Sequence, residues 1–86
     1  MGGKFFVTLP LPGEVDGRAD AFVNAAPVNV PVVEQIDHAK GVALQEAVDN
    51  AHEGRHSVAY LYLLTAVELE KRAAAVERVR HARIAS

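Results

Sequence analysis

The sequence predicts a mainly α-helical protein, in which an extended N-terminal arm precedes an antiparallel helical hairpin. All four prolines and four of the six glycines lie within residues 1–31, and proline and glycine interrupt long helices. From Val32 onward, apolar residues recur at the three- and four-residue spacing of an amphipathic helix. We therefore divide the chain into an arm (residues 1–31) and a helical hairpin (residues 32–86).

The N-terminal arm is apolar, although it lacks helical periodicity. Residues 5–9 have the composition of a strand, whereas residues 12–14 and 16–17 are typical of turns. We expect an extended conformation with at most one short β-hairpin. Apolar arms of this kind pack on a neighbouring chain or add a strand to it. The sequence therefore predicts a protein interface at Phe5, Phe6 and Leu9.

The hairpin is predicted to consist of helices over about residues 32–53 and 57–83. Gly54 is the residue type preferred just after a helix end, and Ser57 is a suitable N-cap for the second helix. On the first helix, the apolar residues fall on one side. That stripe consists of Val32, Val33, Ile36, Ala43, Leu44, Ala47, Val48 and Ala51.

The second helix begins with residues 58–67, which are apolar almost all the way round. A helix of this composition is covered on every side in a stable structure, and one partner helix cannot cover it. A chain of this size buries only about 60–65% of its unfolded surface, so exposing several large apolar side chains would be costly. We expect another chain to cover the segment, either by closing a four-helix bundle from two hairpins or as a larger partner. The predicted interface residues here are Tyr60, Leu63, Leu64 and Val67.

Further along the second helix, five residues follow a four-three spacing. This spacing is typical both of a short coiled-coil seam and of ordinary packing within a helical hairpin, and both interpretations stay open. The residues are small enough for two helices to approach closely. They are Tyr62, Ala66, Leu69, Ala73 and Val76.

Residues 52–56 have the letter pattern H-E-x-x-H of a zinc metalloprotease helix. On one continuous helix, His52 and His56 would bind a metal together, and Glu53 would act as general base. Gly54 opposes a continuous helix, and the extended pattern requires Gly and His where this chain has Ala59 and Tyr62. The alternative function is therefore a protein that binds zinc or iron through His52 and His56. The favoured interpretation is a turn between two helices.

Charge is distributed unevenly along the chain. Residues 1–70 carry four basic and ten acidic side chains, whereas residues 71–86 carry five basic side chains and one acidic one. A basic C-terminal helix is typical of nucleic-acid binding, although cations also stabilise the C-terminal end of any helix. The second alternative is thus a small DNA-binding regulator. Its candidate contacts are Arg72, Arg78, Arg80 and Arg83.

Composition narrows the class of protein further. The chain contains no cysteine, which excludes disulfides and thiolate metal sites. It has no apolar run of about 20 residues and no apolar segment long enough for a secretory signal, so we expect a cytoplasmic location or a place within an assembled particle. The leading hypothesis is a non-enzymatic structural or assembly subunit, without a cofactor, in the manner of an accessory subunit or a minor virion protein. It contacts other proteins through its arm and residues 58–67.

Overall fold

The computed structural model describes residues 7–85, and it is mainly helical, as predicted. Three helices follow one another: α1 (Glu14–Ala25), α2 (Val32–His52) and α3 (His56–Ala85). Residues 7–85 contain no strand. Helices α2 and α3 are joined by three residues and pack against each other, so they form the antiparallel hairpin, and α1 contacts both of them. The observed bounds lie within two residues of those predicted for the hairpin.

The prediction of an extended arm is wrong for residues 14–25, which form α1. The Asp16-Gly17 turn predicted there is likewise absent, since both residues lie inside this helix. Four apolar residues explain the helix. They recur at helical spacing between the flanking prolines: Val15, Ala19, Phe22 and Val23. Ala19 is fully buried, and Phe22 and Val23 pack against the same core, so tertiary contacts outweigh the low helix propensity of Gly17.

A tight turn at Pro12 and Gly13 leads into α1. Gly13 has φ 85° and ψ −16°, which are the values of the third residue in a type II turn. The backbone N–H of Glu14 donates to the carbonyl of Leu11 at 3.0 Å. In return, the Leu11 N–H donates to Oε1 of Glu14 at 2.8 Å. The turn predicted at residues 12–14 is confirmed, and it starts a helix rather than a hairpin.

The core of the molecule is built largely from alanine. The central cluster contains four alanines, Ala19, Ala39, Ala43 and Ala66, and only two large apolar residues, Ile36 and Leu69. Small side chains allow the helices to approach closely. This packing also confirms hairpin contacts for the four-three spacing on α3, because Ala66 and Leu69 belong to the cluster and Ala73 and Val76 pack against it.

Helix α3 is much longer than its partner and gives the molecule its elongated shape. It has 30 residues, whereas α2 has 21. At about 1.5 Å per residue, α3 is about 13 Å longer. The excess lies at the C-terminal end of α3, which extends past the first residue of α2. The molecule measures 59 × 24 × 19 Å. None of its helices, within residues 7–85, combines the length and hydropathy needed to cross a bilayer.

Candidate protein-interaction surface

One side of the hairpin exposes four large apolar residues, two on each helix. We call this surface the hairpin face. At about 100° per residue, all four fall on the same side of their helices relative to the buried positions. Their exposed fractions are 41% for Leu44, 51% for Val48, 46% for Leu63 and 45% for Val67.

Two ion pairs establish that the four residues share one side of the molecule. Nζ of Lys40 on α2 lies 2.7 Å from Oε1 of Glu70 on α3. Helical spacing places Lys40 one turn before Leu44 and Glu70 one turn after Val67, so both halves of the hairpin face lie on the side of this ion pair. Helix α1 contacts the opposite side, where Arg72 of α3 reaches Asp20 of α1. Consequently, α1 leaves the hairpin face uncovered.

The structure divides the predicted apolar segment 58–67 between core and surface. Leu61, Thr65 and Ala66 are buried, and the Thr65 hydroxyl donates to the carbonyl of Leu61 at 2.8 Å. Of the four predicted interface residues, Leu63 and Val67 are exposed, whereas Tyr60 and Leu64 are half-buried on the outer side of α3.

Sequence reasoning missed the contribution of α2 to this surface. Leu44 and Val48 were assigned to the apolar stripe of the first helix, yet the structure exposes both of them. The stripe is too wide for a single neighbouring helix to cover. Because Ala39, Ala43 and Ala47 are buried on this side of the helix, the larger residues at the edge of the stripe lie outside the contact. The width of the apolar stripe on α2 was the feature of the sequence that indicated this exposure.

Helix α1 is fixed to the hairpin by a charged cluster around Arg72. Nη1 donates to Oδ1 of Asp20 at 2.7 Å, and Nε donates to Oε2 of Glu68 at 3.0 Å. Asp16 lies 3.8 Å from Nη2. Hydrogen bonds to Asp20 and Glu68 raise the pKa of the Arg72 guanidinium above its ordinary value. This residue therefore holds α1 in place, and it differs in surroundings from the other arginines proposed as nucleic-acid contacts.

A stacked aromatic pair makes a second link between α1 and α3. The rings of Phe22 and Tyr62 are 5.7 Å apart with an interplanar angle of 19°. The guanidinium carbon of Arg18 lies 5.6 Å from the centre of the Tyr62 ring, within the range of a cation–π contact. Apolar and charged contacts thus both hold α1 against the hairpin.

The segment before α1 runs beside the first turns of α3. The N–H of Thr8 donates to the Ser57 hydroxyl at 2.8 Å. Ser57 is the second residue of α3 rather than its N-cap, and Arg55 supplies the first helical acceptor through its carbonyl. A cavity of about 160 Å³ lies between residues 8–10 and α3. Leu9 is 71% exposed, and Phe5 and Phe6 lie outside the described residues, so the predicted arm interface stays a prediction.

The H-E-x-x-H segment forms the turn between α2 and α3. Gly54 has φ 80°. Its N–H donates to the carbonyl of Ala51 at 3.1 Å, and the backbone N–H of Arg55 donates to the backbone carbonyl of Asn50 at 2.8 Å. These two hydrogen bonds define a Schellman motif, which ends a helix at a left-handed glycine. The side chain of buried Asn50 accepts a further hydrogen bond from Nε of Arg55 at 2.7 Å.

This turn removes the geometry on which the metalloprotease interpretation depends. His52 is the last residue of α2 and His56 is the first of α3, so the two side chains do not lie one turn apart on a common helix. Glu53, the suggested general base, forms an ion pair with Arg55. Within residues 7–85, no group of three or more His, Asp or Glu side chains is placed to hold a metal ion. Metal binding by His52 and His56 remains an untested prediction.

The last turns of α3 carry the other predicted nucleic-acid contacts. Arg78, Arg80 and Arg83 are exposed, and Arg80 lies 3.6 Å from Glu77. Helical spacing places Arg80 and Arg83 on one side of α3 and Arg78 on the other. Arg78 therefore does not share a side with Arg72, Arg80 and Arg83, and nucleic-acid binding stays a prediction.

The sequence matches none of the protein-family models, curated proteins or solved structures with which it was compared.

Proposed function

We propose that the protein is a small non-enzymatic assembly subunit that binds another protein chain through its hairpin face. The observation that supports this function is the joint exposure of Leu44, Val48, Leu63 and Val67 above a core made largely of alanine. The second part of the interface consists of Tyr60 and Leu64, which border the face on α3. The apolar arm, with Phe5, Phe6 and Leu9, would extend this interface.

Burial energies support the need for a partner. Complete burial of a Val or Leu side chain contributes about 1.5–3 kcal/mol. The four residues of the hairpin face are each about half exposed, so a partner that covers them would contribute about 4 kcal/mol. Typical domains have a total stability of only about 5–15 kcal/mol. A surface of this kind rimmed by charged residues is characteristic of a protein-binding site.

The proposal places the chain in a larger assembly, either as an accessory subunit or as a minor component of a particle. Cross-linking in the cells that produce the protein, followed by mass measurement, tests this role. We expect the chain to be recovered in a defined adduct with protein, either itself or another subunit.

Two variants on α2 make the test specific for the hairpin face. Val48→Lys introduces a charge on this face, whereas Val42→Lys introduces the same charge on the side turned towards α1, where Val42 is 37% exposed. We expect Val48→Lys to abolish the adduct and Val42→Lys to retain it. Recovery of the wild-type chain solely as a free 9.2 kDa species would contradict the proposed function.

A further inference from the structure

We infer that the end of the hairpin farthest from its turn binds an acidic amphipathic helix of a partner protein. The binding surface consists of Val32 at the start of α2 and of Val76, Val79, Arg80 and Arg83 on α3. We call this surface the open end. It is a surface other than the hairpin face, so this contact goes beyond the proposed function.

The open end lies where α3 extends past its neighbour. The ion pair between Lys40 and Glu70 sets the register of the antiparallel hairpin. Val32, the first residue of α2, lies eight residues before Lys40, and Arg78 lies eight residues after Glu70. Val32 and Arg78 are therefore at about the same level, and α3 continues for about two further turns.

The valines of the open end lie on the sides of α2 and α3 that face the core. A spacing of seven residues returns to nearly the same side of a helix. At this spacing, Val76 follows the buried residue Leu69, and Val32 precedes the buried residue Ala39. Val79 lies one turn after Val76. Nevertheless, Val79 is 56% exposed and Val32 is 55% exposed. The part of the chain that the structure describes thus leaves the core open at this end.

Two arginines share this side of α3 with the valines. Arg80 lies one turn after Val76, and residues at this spacing are neighbours on a helix. Arg83 lies one turn after Val79 in the same way. Both arginines are exposed, and the pair between Arg80 and Glu77 is a solvent-accessible one at 3.6 Å, which is worth little. An open groove of about 330 Å³ lies along Val76, Val79 and Arg80. Cations and apolar surface therefore occur together within about two turns of α3.

Helix α1 shows which kind of partner this side of α3 binds. Arg72, on the same side as the open end, donates to Oδ1 of Asp20 at 2.7 Å. Asp16 lies 3.8 Å from Nη2 of the same arginine. Beside these carboxylates, Phe22 and Val23 pack against the apolar core. Thus α1 is an amphipathic helix whose acidic residues contact an arginine of α3 while its apolar residues contact the core.

The open end offers the same combination of groups past the end of α1. The Gln35 side chain donates to the carbonyl of Val23 at 3.4 Å, so α1 ends beside the first turn of α2. Beyond that level, Val79 offers an apolar contact, and Arg80 and Arg83 offer positive charge. A partner helix with Asp or Glu next to apolar residues complements this surface, since its carboxylates meet the arginines and its apolar residues complete the core.

Nucleic acid fits the open end less well than a protein helix. Cations and hydrogen-bond donors contact phosphate groups, and Val32 and Val79 would gain nothing from such a contact. An acidic amphipathic helix uses both the arginines and the valines.

The inference is tested on the purified full-length chain with a fluorescent amphipathic peptide. The peptide has about 20 residues, enough to be helical in water, with leucine and alanine on one side and glutamate at the other positions. Because the contact spans only about two turns, we expect a dissociation constant of about 100 μM by fluorescence anisotropy. A peptide with lysine in place of glutamate should not bind. Absence of binding at about 1 mM protein, or equal binding of both peptides, would overturn the inference.

Two charge-matched double variants locate the binding site. Arg80→Gln with Arg83→Gln removes two cations from the open end, whereas Lys71→Gln with Arg78→Gln removes two from another side of α3. We expect the first pair to weaken binding of the acidic peptide about tenfold and the second pair to weaken it by less than about twofold. Glutamine preserves helix propensity, and circular dichroism checks the fold. Equal effects of the two double variants would contradict a site at the open end.

Val79→Ser tests the apolar part of the contact, and Val48→Ser is its control. Val48 lies on the hairpin face and is exposed to a similar extent, 51% against 56% for Val79. We expect Val79→Ser to weaken binding of the acidic peptide about fivefold and Val48→Ser to leave it unchanged. If Val48→Ser weakens binding instead, the peptide occupies the hairpin face; the inference is then wrong while the proposed function stands.

A DNA duplex of about 20 base pairs distinguishes the remaining class of partner. We expect it to bind more weakly than the acidic peptide. Tighter binding of DNA that is lost in Arg80→Gln with Arg83→Gln and unaffected by Val79→Ser would assign these arginines to nucleic acid and overturn the inference.

Discussion

Gly41 and Gly54 occupy opposite backbone conformations, although both interrupt the helical pattern of the sequence. Gly54 has φ 80° in the turn, whereas Gly41 lies inside α2 with a helical backbone. A Cβ atom at either position would meet nothing within 4 Å. Gly54→Ala should therefore lower the free energy of unfolding by about 1 kcal/mol through backbone strain. Gly41→Ala should raise it by about 0.5–1 kcal/mol through helix propensity.

Urea unfolding followed by circular dichroism measures both changes, and each variant serves as the control for the other. The comparison also decides whether residues 52–56 form a turn in solution. If one helix ran through the H-E-x-x-H segment, Gly54→Ala would stabilise the protein just as Gly41→Ala does. A stabilised Gly54→Ala variant would contradict the turn and restore the helical geometry of a metal site.

The ion pair between Lys40 and Glu70 should give stability a specific dependence on pH. The hydrogen bond and the charge of Glu70 raise the pKa of Lys40 above its ordinary value of 10.5. A raised pKa means that the folded state binds the proton more tightly, so the contribution is fully present below pH 10.5 and is lost as pH rises through the raised value.

Lys40→Met removes the contribution of the ion pair to stability. The free energy of unfolding of this variant is compared with that of the wild type from pH 8 to above pH 10.5. Because the pair is solvent-accessible, we expect the wild type to be more stable by only about 0.5 kcal/mol at pH 8. The difference should decrease above pH 10.5 when both proteins are unfolded in urea at a series of pH values. A difference that grows with pH would exclude the ion pair as its origin.

At the scale of the helices, Arg72 makes the ion pairs that link α1 to the hairpin. The Arg72 side chain is only 29% exposed and contacts Asp20 and Glu68 directly. Arg72→Met preserves helix propensity while it removes the shared partner of these carboxylates, so we expect a loss of about 1–2 kcal/mol. Lys71→Met, at the exposed neighbouring position, should change stability by less than about 0.5 kcal/mol.

Hydrogen exchange distinguishes loosening of α1 from general destabilisation. In the Arg72→Met variant, amides of residues 18–25 should lose more protection than those of α2, since α1 separates first from the hairpin. Uniform loss of protection across all three helices would argue against Arg72 as a link between α1 and the hairpin.

Sequence periodicity predicted the hairpin because its helices are long and their apolar spacing is sustained. It failed for α1 because two prolines, Pro12 and Pro27, and two nearby glycines dominate the local composition. Contacts of Ala19, Phe22 and Val23 with the other helices stabilise this 12-residue segment as a helix, since isolated helices of that length are marginal in water. Those contacts become apparent only once the hairpin is assembled.

The candidate interface was predicted for one helix and missed for the other. The apolar character of residues 58–67 identified Leu63 and Val67 directly. Leu44 and Val48 could not be identified in this way, because periodicity reports which side of a helix is apolar and not how much of that side the neighbour covers. The covered fraction of that side depends on the alanines of α2, which set how closely α3 approaches.

At the scale of the whole molecule, the chain is elongated, and its helices leave the hairpin face uncovered. Its radius of gyration is 15.3 Å, whereas a compact domain of this length has a value of about 12 Å. The difference follows from the length of α3, which extends past the first residue of α2. A protein chain packed on the hairpin face would add a layer on the side opposite α1.

If the chain that covers the hairpin face is a second copy, thermal stability depends on protein concentration. If each chain completes its core only in the dimer, unfolding is coupled to dissociation, and a tenfold increase in concentration stabilises the dimer by about 1.4 kcal/mol. For a cooperative unit of two 86-residue chains, this corresponds to a rise in Tm of about 3–6 °C. Differential scanning calorimetry at 10, 100 and 1,000 μM measures it. Val42→Lys should show the same dependence as the wild type, while Val48→Lys should melt at a lower temperature that is independent of concentration. A wild-type Tm that stays constant over this range would show that the hairpin folds without a second copy.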